Sequence, residues 1–157
     1  MSDGFAHLDD RGSARMVDVG GKEVTTRRAV AEAIVVMSED VRTRLLDGTL
    51  PKGDAAALVR VAAIQGAKKT AELVPLCHPL VLDAVSVELE PTDGGIRIVV
   101  EAGVTARTGV EMEAMTGAAT GALALYDMVK GLDRHAEIGP VRLLEKSGGR
   151  SGEWRRG

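Results

Sequence analysis

Aromatic residues are almost absent from this 157-residue chain: one Phe, one Tyr and one Trp, with Phe5 and Trp154 close to its ends. Proteins that hold single-stranded nucleic acid stack its bases on aromatic side chains, and this chain has almost none to offer. Excess positive charge is lacking too. The 20 Lys and Arg are outnumbered by 23 Asp and Glu, a net charge of −3. No global field therefore draws in nucleic acid or an anionic membrane, and an anionic ligand must be held by a local cluster of cations. The lone cysteine, Cys77, excludes an intramolecular disulfide and any multi-cysteine zinc site. His7, His78 and His135 are remote from one another with no metal-ligand spacing, so no metal is expected. No run approaches the roughly 18 apolar residues of a membrane span. The opening MSDGFAHLDDRGSARM has no apolar signal-peptide core. These absences predict a cytoplasmic protein with neither nucleic acid nor membrane as partner.

What is present is an ordinary soluble composition, 45% hydrophobic and 27% charged, in a length that suits one domain. The core must be closely spaced Ala, Val, Leu, Ile and Met. Residues 1–14 are Gly-, Asp- and Ser-rich without periodicity and read as a flexible arm. Residues 147–157 read as a flexible Gly/Ser-rich tail, which leaves a single domain over 15–146.

Between the ends, Arg28–Met37 ends in a β-branched run and reads as a strand. Ser38 precedes Glu39 and Asp40 and the spaced Val41, Leu45 and Leu46, with Asp47-Gly48 as a stop: a short capped helix. Asp54 is suited to cap a second helix that runs to Leu73, before Pro75. Val81–Glu90 and Ile96–Ala106, joined by PTDGG, read as a hairpin. Gly109–Gly131 reads as one long helix, and Ile138–Leu144 as a closing strand. The order is that of a split βαβ pattern with one extra helix. This is an α+β fold in which an antiparallel sheet is covered by helices on one face.

Four segments could carry chemistry. Pro75 and Pro79 stiffen the loop Leu76-Cys77-His78, which presents an imidazole suited to proton transfer near neutral pH; a small buried thiol beside a partly exposed ring is the plainer reading. Glu111, Met112 and Glu113 open the long helix. The two acids there complement its dipole, yet their apolar neighbours also suit half-buried carboxyls. Asp127 is misplaced at a helix C-terminus unless Lys130, three residues on, holds it. Glu113 and Asp127 are fourteen residues apart, about 20 Å along a continuous helix. One small-molecule pocket can hold both only if the helix bends or the pocket is shared between subunits. The cations Arg27, Lys52, Lys68, Lys69 and Lys146 are individually ordinary surface charges, with Lys68 paired to Glu72 four residues on. Together they suggest a polyanionic small ligand.

Taken as a set, these segments resemble one family. Met16-Val-Asp-Val19, Lys52-Gly-Asp54, Ala67-Lys-Lys-Thr70, Leu73-Val-Pro-Leu-Cys-His-Pro-Leu80, Thr108-Gly-Val-Glu-Met-Glu-Ala114, Tyr126-Asp-Met128 and Gly139-Pro-Val-Arg-Leu-Leu144 with Lys146-Ser-Gly-Gly149 are similar to the MoaC family of molybdenum cofactor biosynthesis. The resemblance runs from about Met16 to Trp154. It implies a ferredoxin-like subunit in a homohexamer, a trimer of dimers, with sites at the dimer interface. The reaction it implies is that of a lyase, cyclic pyranopterin monophosphate synthase. That enzyme converts 3′,8-cyclo-7,8-dihydro-GTP, supplied by an upstream radical enzyme, to cyclic pyranopterin monophosphate with release of pyrophosphate and without a cofactor.

By the same resemblance, Asp127, Lys130, Lys52 and His78 are catalytic. Leu76, Cys77, His78, Glu111, Met112 and Glu113 line the substrate pocket, and Arg27, Lys68, Lys69 and Lys146 grip phosphate. Arg150 stands where many relatives carry Lys. Gly20-Gly21 and the glycines within 116–121 are expected to loosen local order. The competing readings are a hydrolase with Cys77 as nucleophile and His78 as base, and a non-catalytic nucleotide-binding assembly module.

Overall fold

The computed structural model describes residues 7–9 and 11–157; of the arm expected over 1–14, residues 1–6 and 10 lie outside them. The elements run β1 (Thr25–Val36), α1 (Glu39–Leu46), α2 (Ala55–Lys68), α3 (Thr70–Leu73), β2 (Ala84–Thr92), β3 (Gly95–Ala106), α4 (Glu111–Val129), β4 (Glu137–Ser147) and β5 (Trp154–Arg155). The strands form one sheet in the order β2-β3-β1-β4-β5 with every neighbouring pair antiparallel. This is the α+β architecture that the element order predicts. Among the described residues, no helix is long and apolar enough to cross a membrane.

Alternation along the strands decides which face is covered. On β1, Ala29, Ala31, Ala33 and Val35 are fully buried, as are Ile96, Ile98, Val100 and Ala102 on β3. Against them lie Ala114, Ala118, Ala122, Leu125 and Val129 of α4, and beyond these Val59 and Ala63 of α2. The opposite face carries ion pairs. Arg28 meets Glu101 at 2.7 Å and also Glu145, while Glu32 is bound by Arg97 and, at 2.5 Å, by Arg142. Glu32 is almost wholly enclosed, and both its carboxylate oxygens are satisfied. Burial alone would push its carboxyl up; the two guanidinium hydrogen bonds prevail and hold it low.

Several local expectations change. Asp54 caps α2 through its side chain, which accepts from the Ala57 N–H at 2.9 Å. Ser38 caps α1 by position only, and its own N–H donates to Asp133. The second helix is not continuous to Leu73, because Lys69 leaves helical geometry between α2 and α3. The Thr70 hydroxyl donates back to the Ala67 carbonyl there, which serves a group that the helix would otherwise use. With the turn broken at Lys69, Lys68 and Glu72 lose their helical neighbourhood and form no ion pair. Residues 81–83 precede the sheet rather than join β2, and Val81 is exposed.

The glycines of α4 tighten the fold rather than loosen it. A Cβ on Gly117 would meet the Ala63 carbonyl at 3.0 Å, and one on Gly121 would meet Ala63 Cβ at 3.3 Å. Gly66 on α2 lies against Thr120 in the same way. Small residues on both helices bring their backbones close. That is how a core without aromatics is filled.

Candidate active site

Loop 76–80 leaves α3 and passes the first turn of α4, so two distant stretches of sequence meet. Leu76, Cys77, His78, Glu111, Met112 and Glu113 line one cavity of about 440 Å³. All six were expected in the substrate pocket. Its other wall is the segment before β1, through His7, Val17, Val19 and Lys22. None of these four was among the expected pocket residues: His7 falls in an arm without periodicity, and Val17, Val19 and Lys22 precede the first strand, where no local pattern signals what they pack against.

The two acids of the α4 first turn are set apart by their surroundings. Glu111 accepts from Lys146 Nζ at 2.8 Å. Burial would raise its pKa, but this bond, the backbone N–H and the charge of Arg27 together hold it below the usual carboxylate range. Glu113 is only 4% exposed, and burial pushes its carboxyl up to about 7, with the neighbouring charge of Glu111 adding to the rise. One carboxyl thus stays ionised while its neighbour keeps a proton toward neutrality. That divergence equips a site with an acceptor and an acid. Burial, and then the nearness of Glu113, also raise the Cys77 thiol. A thiol held protonated is a poor nucleophile, and no hydrogen bond joins Cys77 to His78 among the described residues, so both observations weigh against the hydrolase reading.

Around this cavity lie the other cations. Arg27 and Lys146 border a recess of about 140 Å³ with Glu111, and Arg27 Nε donates to the Ala106 carbonyl at 3.1 Å. Arg27 also borders a larger basic cleft of about 840 Å³ with Lys22, Arg150 and Ser151. Gly148 and Gly149, both at positive φ, fold over Arg27 so closely that a Cβ on Gly149 would lie 2.1 Å from its guanidinium. Lys68 shares a small recess with Glu113 and Leu80. Lys69, at the break between α2 and α3, lines none of these spaces.

The remaining expected residues gather elsewhere. At the C-terminal end of α4, Asp127 lies between Lys130 Nζ at 2.7 Å and Lys52 Nζ at 3.2 Å. Lys52 also donates to the Asp127 carbonyl at 2.6 Å, and so serves one of the orphan acceptors of the helix end. The turn that delivers Lys52 depends on Gly53 at φ +93°. Lys130 and then Lys52 hold the Asp127 carboxyl low, and Asp127 in turn raises Lys130. The misplaced acid is thus held by two cations. Since α4 is unbroken from Glu111 to Val129, this cluster and the cavity are about 20 Å apart. Within one chain they do not meet.

The MoaC family profile matches residues 16–149. Cyclic pyranopterin monophosphate synthases from Brucella ovis, Brucella melitensis and Brucella abortus are each 49% identical over 156 residues, covering 98% of this chain and 94% of theirs.

Proposed function

The chain belongs to the MoaC family, and on that premise we propose that it is a cyclic pyranopterin monophosphate synthase, a lyase of molybdenum cofactor biosynthesis acting on a small-molecule substrate. The observation that carries the reading is the 49% identity to synthases over nearly the full length of both chains. In the proposed reaction, 3′,8-cyclo-7,8-dihydro-GTP loses pyrophosphate. A hydroxyl of the substrate attacks the α-phosphorus, a P–O bond to it forms, the bond to the β-phosphate breaks, and the hydroxyl proton passes to a base. Opening the purine imidazole ring and closing a pyrazine require further proton transfers.

Each cluster suits one part of this work. The cavity has an ionised Glu111, a Glu113 that keeps a proton toward neutrality and the His78 imidazole, which match the donors and acceptors of a heterocyclic base. Arg27, Lys146 and Lys68, which border the spaces around the cavity, suit the triphosphate, with Lys69 adding positive charge from beyond them, and cations neutralise the departing pyrophosphate. Asp127, Lys130 and Lys52 are the proton-moving group. In the free chain both ammonium groups hold the Asp127 carboxylate and the cluster keeps one net positive charge, so anionic substrate competing for the lysines would release the Asp127 carboxylate to act as a base. Because the two clusters are separated along α4, we propose a site shared between subunits. The cavity of one chain is completed by the Asp127 cluster of another, within a cytoplasmic homohexamer built as a trimer of dimers. Its substrate is handed over from the upstream radical enzyme.

The test is incubation of purified protein with the cyclised nucleotide, read by pterin fluorescence after oxidation and by pyrophosphate release. Wild type is expected to give both. Asp127→Asn and Lys130→Ala are each expected to slow turnover at least about a hundredfold, the usual scale for loss of an acid–base group. Tight binding without conversion by wild type would make the protein a nucleotide-binding module instead. Full activity in both variants would remove them from the chemistry.

A further inference from the structure

The substrate cavity is closed on one side by residues that lie before the first strand. Residues 7–9 and 11–15 pair with each other: the Arg15 N–H donates to the His7 carbonyl at 2.8 Å, Asp9 N–H to the Ser13 carbonyl at 2.9 Å, and Leu8 bridges Ala14. The Asp9 side chain fixes the turn by accepting from the N–H groups of Arg11 and Ser13 at 2.9 and 2.8 Å. Gly12, at φ +77°, completes it. The far end of the segment is pinned to the body, where Arg107 Nε donates to the Lys22 carbonyl at 3.1 Å. Between these anchors Val17 and Val19 lie on the cavity, and His7 is carried to the same wall.

A flat heterocycle gains most from a flat partner. Among the described residues lining the cavity, the only planar rings are the imidazoles of His7 and His78. Tyr126 and Trp154 are elsewhere, in the last turns of α4 and in β5. Histidine is one of the side chains on which unstacked bases are held. We propose that residues 7–9 and 11–22 are a strap across the substrate site and that His7 is a further substrate-contact residue, whose ring stacks on the substrate's heterocycle. The proposal rests on the functional reading above for the identity of that heterocycle. It assigns to the strap a binding role, not a proton transfer.

Binding of GTP, which carries a purine and a triphosphate, is measured by calorimetry for wild type, His7→Ala, His7→Phe and His7→Asn. Amide hydrogen exchange over residues 7–19 is followed with and without GTP. Loss of one stacking partner is expected to weaken binding about tenfold in His7→Ala. His7→Phe, which keeps a flat ring without nitrogens, is expected to stay within about threefold of wild type, and GTP is expected to slow exchange in the strap. With the cyclised nucleotide, His7→Ala is expected to raise KM while kcat stays within about twofold, as for a purely binding contact. Wild-type affinity in His7→Ala, rescue by Asn but not by Phe, or exchange unchanged by GTP overturns the proposal. A wild type that binds GTP in this pattern but fails to convert the cyclised nucleotide overturns the functional reading alone. One that binds no GTP and converts nothing overturns both.

Discussion

Glu113 and Glu111 are separated by a single methionine, yet their surroundings drive them in opposite directions. Glu113 is enclosed by the cavity wall without a cation of its own, whereas Glu111 has Lys146 at 2.8 Å. The Glu113 carboxyl, pushed up to about 7 from an ordinary value of 4.5, keeps a proton in the folded chain that the unfolded chain releases. Its contribution to stability is therefore complete below about pH 4.5 and is lost as the pH rises through about 7, by about 3 kcal/mol in all. Glu113→Gln keeps the shape and removes the titration. Urea unfolding should find the two proteins close to equal near pH 4, with the glutamine variant about 3 kcal/mol the more stable near pH 8. An equal gap at both values would mean that Glu113 is ionised throughout. The sequence revealed these two carboxyls as candidates, because acids among apolar neighbours at a helix start are visible in one dimension. It could not reveal which one stays protonated. That depends on Lys146, which arrives from β4 through tertiary folding.

At the scale of elements, local signals were strong wherever they were local. Asp54 as a cap, the alternation of β3 and the proline-free run of α4 each specify their element through neighbours a few residues away. The break at Lys69 was missed because helix propensity continues through it; the competing bond from Thr70 is visible only in the folded chain. The glycines misled for a different reason. A glycine in a helix reads the same whether it loosens the turn or lets another backbone approach, and only the partner helix decides. Here the partner is α2, and a Cβ on Gly66 would be 2.3 Å from Thr120 Oγ1 and 2.6 Å from its Cβ. Gly66→Ala is accordingly expected to force the helices apart and destabilise by about 1–3 kcal/mol, in spite of alanine's better helix propensity. Gly131→Ala, where nothing lies within 4 Å, should change stability by no more than about 0.5 kcal/mol. Chemical denaturation of the pair separates packing from propensity: if both variants behave alike, the close approach is not what fixes this interface.

For the whole molecule, the sheet order places β1 between β3 and β4, a pairing no local pattern announces. That central strand delivers Arg27 beside Lys146 and the start of α4, so the cation cluster near the cavity is a product of topology. The same topology sends Asp127 to the far end of α4 with Lys52 and Lys130. If an active site consists of the cavity of one chain and the Asp127 cluster of another, a variant defective in either half leaves the other half intact. His78→Ala and Asp127→Asn, each inactive alone, should then regain activity when unfolded together and refolded as a mixture. In a pairwise site, half of the randomly formed pairs are mixed and each has one intact site of two. The mixture should therefore recover about one quarter of wild-type activity, as a symmetric interface requires. Refolding each variant separately and mixing afterwards, without exchange of subunits, should recover none. A co-refolded mixture as inactive as its parents would place both clusters in service of one chain, and the 20 Å between them along α4 would then have to be closed by the substrate or by movement of the helix.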